Sequence, residues 1–174
     1  MITVIVGGAG SGKSAYAERL ASARPGKRYY LATMQVRDKE SGIRVARHRA
    51  MRAGKGFMTL EAPLALTKLV LPQPETILLE DLTNLAANER YDPAGAGRWA
   101  ADAVLHGVEG LSRQCVHLIV VGNELFCAGD RYDNSMRDYL RMLAEIHRRV
   151  AAWADNVCEV TAGLPLYYKG KEPL

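Results

Sequence analysis

Cysteine is scarce in this chain, and the cysteines present are not arranged as a pair. The 174 residues include three cysteines, Cys115, Cys127 and Cys158, and none belongs to a C-x-x-C motif. This spacing is typical of small buried thiols in a reducing compartment and argues against a disulfide framework.

A histidine metal set is also missing. Three of the four histidines, His106, His117 and His147, lie at unrelated spacings. Metal sites built on histidine usually show short, regular spacings, so we interpret these three as structural or surface residues.

Other absences narrow the class of protein. The sequence has no charged-then-apolar leader, no apolar run of membrane-spanning length, no internal repeat and no low-complexity linker. We therefore expect a cytoplasmic protein with no membrane span.

Hydrophobic residues make up 48%, which excludes a disordered chain, and the length suits one domain over residues 1–174. The formal charge of +4 is too small to indicate nucleic acid over small anionic ligands.

The most informative segment that is present is a glycine-rich stretch near the start, Gly7-Gly8-Ala9-Gly10-Ser11-Gly12-Lys13-Ser14. It matches G-x-x-x-x-G-K-S, the phosphate-binding P-loop pattern. A β-branched run precedes it and a run of helix formers follows, which predicts the strand–loop–helix context that the motif requires. The loop amides would surround a polyphosphate, Lys13 would contact its β- and γ-phosphates, and Ser14 would bind Mg²⁺.

Two more predicted strands end in residues that suit this site. One strand, Tyr29–Thr33, has Ala32-Thr33-Met34 at its carboxyl end. The other, Thr76–Asp81, ends in the carboxylates Glu80 and Asp81. Carboxyl ends of parallel strands meet at the ligand-binding edge of an open α/β sheet. An acidic residue there supports Mg²⁺ in P-loop proteins, and the sequence leaves open which of the two does so.

An arginine-rich segment surrounds the fourth histidine. Residues 43–52 read I-R-V-A-R-H-R-A-M-R, and a helix over them puts Arg44, His48 and Arg52 on one face, with Arg47 and Arg49 beside the histidine. Positive neighbours disfavour protonation of an imidazole, and a neutral imidazole is a nucleophile. Arginine forks also suit a polyphosphate. By composition alone, a solvated basic helix or a nucleic-acid patch is the alternative, although the segment lacks the stacking aromatics of a single-strand binder.

The remaining patterns complete an α/β fold. We predict a strand at Phe57–Glu61, a short helix at Leu64–Leu71, an irregular polar stretch at Asn84–Pro93, a helix at Ala96–Arg113, a strand at Val116–Val121, a loop at Phe126–Asp133, a helix from Asn134 or Ser135 to near Asp155, a strand at Val157–Ala162 and a tail strand within Gly163–Tyr168. Alternating strands and helices indicate a mostly parallel sheet with helices on both faces.

Several segments together resemble one enzyme family. They are V-G-G-A-G-S-G-K-S at Val6–Ser14, L-A-T at Leu31–Thr33, R-V-A-R-H-R-A-M-R at Arg44–Arg52, Glu61 before Pro63, I-L-L-E at Ile77–Glu80, L-T-N-L at Leu82–Leu85, V-G-N-E at Val121–Glu124, A-D-N-V at Ala154–Val157 and A-G-L-P-L at Ala162–Leu166. With these segments the chain resembles the bifunctional adenosylcobinamide kinase / adenosylcobinamide-phosphate guanylyltransferases of cobalamin biosynthesis.

The resemblance implies a three-layer, RecA-like P-loop fold, a homotrimer, and both ATP and GTP as substrates with Mg²⁺. It places a GTP-guanylylated histidine at His48 and extends the nucleotide-binding set to Arg49, Arg52, Glu61 and Glu80. The implied acceptor is a corrinoid, adenosylcobinamide. The chain departs from the family pattern in the loop Leu125–Tyr132, at residues 144–148 of the following helix, and at Phe57, where the family usually has tryptophan.

Two other functions stay open from the residues alone. One is a P-loop kinase for another small alcohol without guanylyl transfer, which the altered loop favours. The other is a nucleotide-binding regulatory module. Neither requires a histidine set among arginines, so the segment at residues 43–52 favours the bifunctional enzyme.

Overall fold

The computed structural model describes residues 1–36, 38–126 and 132–173, with the backbone alone for residues 40, 44, 47 and 51. Seven strands form one sheet in the order β3-β2-β4-β5-β1-β6-β7. They are β1 (Ile2–Gly7), β2 (Arg28–Ala32), β3 (Phe57–Glu61), β4 (Thr76–Glu80), β5 (His117–Asn123), β6 (Asn156–Thr161) and β7 (Leu164–Lys169). All neighbouring pairs are parallel except β6 and β7.

Helices cover both faces of the sheet. The five α-helices of the described ranges are α1 (Lys13–Ser22), α2 (Lys39–Arg52), α3 (Leu82–Tyr91), α4 (Ala100–Gln114) and α5 (Asn134–Trp153). Along β4, Leu78 packs with α1 on one face, while Ile77 and Leu79 pack with α3, α4 and α5 on the other. A parallel strand buried on both faces is continuously apolar, which explains the run T-I-L-L-E.

The strand register puts the carboxyl ends of the six parallel strands, β1 to β6, at one edge. Gly7 is level with Asn123, and Ala32 is level with both Glu61 and Glu80. The loop after β1, the strand-end carboxylates and the start of the arginine segment therefore share the edge where open α/β sheets bind ligands. The predicted α/β class, with a mostly parallel sheet and helices on both faces, is confirmed.

The stretch predicted to be irregular, Asn84–Pro93, is mostly helix α3, so that prediction was wrong. Its polar residues are bonded to the rest of the fold: the Asn88 side-chain amide donates to Thr33 O at 2.8 Å. The Glu89 carboxylate accepts from the backbone N–H groups of Ala65 and Ala96. Buried polar groups are stable when they are paired in this way, and sequence composition does not reveal the partners.

Several boundaries also differ from the predictions. The helix predicted at Leu64–Leu71 is only a 3-10 turn, Leu66–Lys68, because Ala65 is in the left-handed region at φ 54°. Helix α4 starts at Ala100, after a 3-10 turn, and not at Ala96. The α5 cap is Asp133, whose carboxylate accepts from Met136 N, and not Asn134 or Ser135. Residues 127–131 of the predicted loop lie outside the described residues.

Helix α5 buries one apolar face in the core. Tyr139, Leu143 and Val150 are in the core, together with Ile146. Met136 and Trp153, near the two helix ends, are exposed because the ends extend beyond the core. No helix in the described part of the chain is both long and apolar enough to cross a membrane.

His147 of α5 is packed tightly against the end of β5. A Cβ atom on Gly122 would lie 2.8 Å from His147 Nε2, and the imidazole meets Phe126 edge-on with ring centroids 5.9 Å apart. Within the described ranges Nε2 has no hydrogen-bond partner. Burial lowers the pKa of His147 from 6.5 to about 4, against the opposing effect of the Glu124 carboxylate.

We predict that His147 makes the fold acid-sensitive. Because its folded pKa is depressed, the unfolded chain takes up a proton as pH falls from 6.5 towards 4 and the folded chain does not, so stability falls over this window. Between pH 7 and 4.5 the wild type should lose roughly 2 kcal/mol more than His147→Gln in urea unfolding. Equal losses in the two proteins would contradict this assignment.

Candidate active site

The glycine-rich stretch forms a loop between β1 and α1, as the P-loop pattern predicts. Gly10 and Gly12 have φ values of 72° and 91°, a region that side chains disfavour, so glycine is required at both. Gly7 has no room for a side chain, since a Cβ atom there would lie 2.6 Å from Val160 O. Ser11 O accepts a hydrogen bond from Gly163 N at 2.8 Å, which joins the loop to the turn between β6 and β7.

Lys13 begins helix α1 and is buried at the base of the loop. Its Nζ donates to Gly8 O at 3.0 Å. Burial lowers the pKa of Lys13, while the carboxylates of Asp81 and Glu80 act in the opposite direction. Loop amides, the positive end of the α1 dipole and one ammonium group therefore converge on a single place, which is the arrangement that binds phosphate.

Glu80 connects the loop to the rest of the site. Its Oε1 accepts a hydrogen bond from Ser14 Oγ, while its buried Oε2 has no partner among the residues that the structure describes. Burial raises the pKa of Glu80, and the hydrogen bond from Ser14 opposes this shift. A serine hydroxyl and a carboxylate side by side are oxygen ligands of the kind that Mg²⁺ prefers.

Asp81, the second carboxylate of the pair, has a different position. Its Oδ1 accepts from Asn84 N at 2.6 Å and caps helix α3, while its Oδ2 accepts from the side-chain amide of Asn123 at 2.9 Å. Burial raises the pKa of Asp81 to about 6. Both oxygens are thus engaged in holding α3 and β5 together at this edge.

His48 lies against the same carboxylate as Ser14. His48 Nδ1 is 3.6 Å from Glu80 Oε1, so one buried side chain touches both the P-loop serine and the histidine. A small cavity of about 40 Å³ opens here. Its lining consists of Tyr30, Ala32, Met34, Val45, His48, Arg52, Glu61, Glu80, Asp81 and Asn84. Seven of these ten residues are ones that the sequence analysis selected.

Arg52 stands between this small cavity and a larger one. Its guanidinium is buried and lies 3.5 Å from the centroid of the Tyr30 ring. The larger, open cavity measures about 700 Å³. It is lined by Arg49, Arg52, Ala53, Gly54, Gly56, Phe57, Thr59 and Glu61. Arg49 and Glu61 form an ion pair at 2.7 Å on its exposed rim.

The other predicted residues are placed as follows. Ala9 and Gly10 are at the exposed top of the P-loop, and Gly8 and Ser11 are half-buried. The Thr33 side chain is fully buried and donates to Asp81 O at 2.8 Å, so its predicted contact with nucleotide stays a prediction. The side chains of Arg44 and Arg47 lie outside the described part of the structure.

Sequence reasoning missed an ion pair beneath the site. Glu18 of α1 is completely buried, and Lys55, just after α2, donates to its Oε2 at 2.5 Å. The pair ties the carboxyl end of the histidine-bearing helix to the helix that follows the P-loop. A carboxylate among Ala17, Leu20 and Ala21, on the apolar side of α1, was the signal that could have indicated it.

We predict that this ion pair holds the two helices together. Lys55→Met leaves the Glu18 carboxylate buried without its cation and should reduce the free energy of unfolding by about 3 kcal/mol. The double variant Glu18→Gln/Lys55→Met removes both charges and should recover most of that loss in urea unfolding. Lys68→Met, at an exposed position, is the control. If the double variant is no more stable than Lys55→Met, the ion-pair explanation is wrong.

The fold and the loop together define the class of the protein, a P-loop nucleoside-triphosphate-binding protein. Solved structures support the fold. A KaiC-like protein from Pyrococcus horikoshii OT3 aligns with a TM-score of 0.53 at 12% identity, over 98% of this chain and 80% of that one. An ATPase of a bacterial type III secretion system aligns with a TM-score of 0.57 at 13% identity, over 95% of this chain and 56% of that one.

Within that class, the chain belongs to the cobinamide kinase / cobinamide phosphate guanyltransferase family, whose family model matches residues 3–168. The bifunctional adenosylcobalamin biosynthesis protein CobP of Pseudomonas aeruginosa is 35% identical over 181 residues and the whole of both chains. CobU of Salmonella typhimurium, with the same descriptive name, is 28% identical over 97% of this chain and all of its own. The predicted family, with its kinase and guanylyltransferase activities, is confirmed.

Proposed function

We propose that this enzyme carries out both family reactions at the edge formed by the P-loop, Glu80 and His48. In the first, a nucleoside triphosphate gives its γ-phosphate to the aminopropanol hydroxyl of adenosylcobinamide. In the second, GMP passes from GTP through His48 to adenosylcobinamide phosphate, giving adenosylcobinamide-GDP. The observation that carries the proposal is the Glu80 carboxylate, which contacts both Ser14 of the P-loop and His48.

The phosphate loop binds the triphosphate in both reactions. Loop amides and Lys13 supply the positive potential, and burial of Lys13 strengthens its attraction for phosphate oxygens. Positioning and charge neutralisation are most of what phosphoryl transfer requires from a protein.

Ser14 and Glu80 are the residues that would hold a Mg²⁺ ion, directly or through its water molecules. The buried Glu80 Oε2, without a partner among described residues, is an oxygen available to a cation or its water. The described residues contain no group of three or more histidine, cysteine, aspartate or glutamate side chains that could hold a metal. Phosphate and water oxygens would therefore complete the shell, as is usual for Mg²⁺, and the ion would neutralise charge on the phosphates.

His48 would act as the nucleophile of guanylyl transfer. Its Nδ1 lies 3.6 Å from Glu80 Oε1, and a proton on Nδ1 facing that carboxylate would leave the lone pair on Nε2. Nε2 bonds to the α-phosphorus while the bond from that phosphorus to the bridging oxygen breaks, and pyrophosphate leaves. A phosphate oxygen of adenosylcobinamide phosphate then attacks the same phosphorus, the P–N bond breaks and His48 is regenerated. The covalent intermediate divides one difficult transfer into two easier ones.

Arg52 and the larger cavity extend the site from the α-phosphate towards the nucleoside. Arg52 lines both cavities, so its guanidinium is placed to stabilise charge that gathers on the α-phosphorus. The guanosine of GTP would then occupy the larger cavity, beside Glu61 and Arg49. The homotrimer, which rests on the family resemblance, and the cytoplasmic location stay proposals, and sedimentation analysis would test the former.

The guanylyl intermediate can be tested directly. Label from α-³²P GTP should become covalently attached to the protein, label from γ-³²P GTP should not, and the bond should be labile in acid and stable in alkali. His48→Ala should abolish labelling because it removes the nucleophile, whereas His106→Ala, at an exposed position on α4, should label like the wild type. If the wild-type protein binds GTP and Mg²⁺ but never takes the α-label, guanylyl transfer is excluded and kinase activity is the only one of the two proposed reactions that remains.

The two adjacent carboxylates should behave differently. Glu80→Gln removes the carboxylate next to Ser14 and His48, and we expect it to lower Mg²⁺-dependent labelling of His48 at least about tenfold. Asp81→Asn keeps an oxygen for the Asn84 N–H cap but puts an amide NH2 group against the side-chain amides of Asn84 and Asn123, so it should mainly lower stability, by about 1 kcal/mol in urea unfolding. Rates measured across a Mg²⁺ titration distinguish these effects. A Mg²⁺ dependence that shifts with Asp81→Asn and not with Glu80→Gln would reverse the assignment.

A further inference from the structure

A second cleft opens on the other side of the phosphate loop. It measures about 230 Å³ and is lined by Gly12, Ala15, Tyr16, Arg19 and Gly163. The small cavity beside His48, which we call the histidine cavity, lies at the ends of β2 and β4. This cleft lies on the side of β6 and β7. In the sheet order, β1 and the phosphate loop that follows it are between the two. When the loop holds a triphosphate, the nucleoside could therefore extend in either of two directions, towards the histidine cavity or towards this cleft.

One wall of the cleft is fixed against the loop by backbone contacts. Gly163 N donates to Ser11 O at 2.8 Å, and a Cβ atom on Gly12 would lie 3.0 Å from Gly163 Cα. Within the described part of the chain, no atom lies within 4 Å of the position that a Gly163 Cβ would take, so the turn leaves the cleft open. The wall is thus held in place while the space in front of it stays free.

The opposite wall is a stacked pair on α1. The Arg19 guanidinium lies 4.8 Å from the centroid of the Tyr16 ring. Tyr16 is buried, and its hydroxyl is held 2.6 Å from that of Tyr167. Among the residues that the structure describes, the other side-chain partner of Arg19 is Glu172, in an exposed ion pair at 3.5 Å that contributes little stability, so the outer face of the guanidinium is available. Guanidinium planes and aromatic rings are surfaces on which nucleobases stack.

The size of the cleft restricts what it can hold. It is smaller than the roughly 300–1,000 Å³ of a pocket for a drug-sized ligand, which suits a base and its sugar and excludes a corrinoid. Because Gly12 and Ala15 belong to the phosphate loop and the helix that follows it, a base here would be attached to phosphates already held by the loop.

We propose that this cleft binds the purine base of the nucleotide that donates the γ-phosphate in the kinase reaction. This inference rests on the proposed function. With its base beside Arg19, the nucleotide directs its γ-phosphate towards Ser14 and Glu80, and leaves the histidine cavity and the larger cavity for the acceptor. In guanylyl transfer, GTP binds in the opposite orientation relative to the phosphate loop, with its α-phosphate at His48. One phosphate loop thereby serves two reactions through two opposite orientations of the nucleotide.

Binding of two probes tests the cleft. Adenosine β,γ-imidotriphosphate carries a base and inorganic triphosphate does not, and both are titrated calorimetrically with Mg²⁺ into the full chain. Arg19→Lys keeps the charge and loses the planar group, and Ala15→Leu fills the cleft from an exposed helix position with a good helix former. We expect both variants to bind the imido nucleotide about tenfold more weakly and to bind inorganic triphosphate within about twofold of wild type.

A matched arginine controls for loss of a surface charge. Arg113 of α4 is exposed and forms an ion pair with Glu109, as Arg19 does with Glu172. Arg113 comes just before β5 begins, so it lies near the amino ends of the strands and away from the phosphate loop at their carboxyl ends. Arg113→Lys should leave the affinity for both probes unchanged. Wild-type affinity for the imido nucleotide in Arg19→Lys and Ala15→Leu would overturn the base cleft, as would an equal loss for both probes.

The outcome is separable from that of the proposed function. If His48 takes the α-label from GTP but imido-nucleotide binding is insensitive to the cleft variants, guanylyl transfer stands and the base cleft does not. If the cleft variants weaken nucleotide binding but His48 is never labelled, the cleft stands and guanylyl transfer fails.

Discussion

The site depends on one buried carboxylate, that of Glu80. It ends a strand that is apolar on both faces, and it accepts from Ser14 while lying 3.6 Å from His48. Burial of a carboxylate costs free energy unless nearby partners compensate for it. The Glu80 carboxylate is therefore stable in this position only when a hydroxyl group, a cation or an imidazole lies close to it. The same requirement brings the phosphate loop and the histidine-bearing helix to one point.

The surroundings of Glu80 hold the arginine segment in a defined position. Arg52 stacks on Tyr30, and the ion pair between Glu18 and Lys55 anchors the chain just beyond α2. Without these contacts a helix with so many arginines would be a solvated surface helix, because its sequence contains little apolar surface to bury. Buried partners on α1 and β2 therefore make this helix part of the site.

The failed prediction for residues 84–93 has a long-range cause. Helix α3 was predicted to be irregular because Asn84, Asn88 and Glu89 are polar, yet Asn88 and Glu89 are buried and bonded to backbone groups far away in the chain. The distinct tasks of Glu80 and Asp81 were likewise invisible, since adjacent residues at a strand end project in different directions. A pattern of residue types does not contain the long-range partners that satisfy a polar group.

The sequence by itself determined the phosphate loop and the parallel sheet and made His48 a candidate nucleophile, because glycines at fixed intervals, apolar strand runs and one histidine among arginines are local patterns. Only the tertiary structure decided which carboxylate faces Ser14 and His48, and that the loop has a cavity on each side. Those features arise where β4, α1, α2 and the turn after β6 meet. Their separations along the chain are long, and only packing of the whole sheet brings them together.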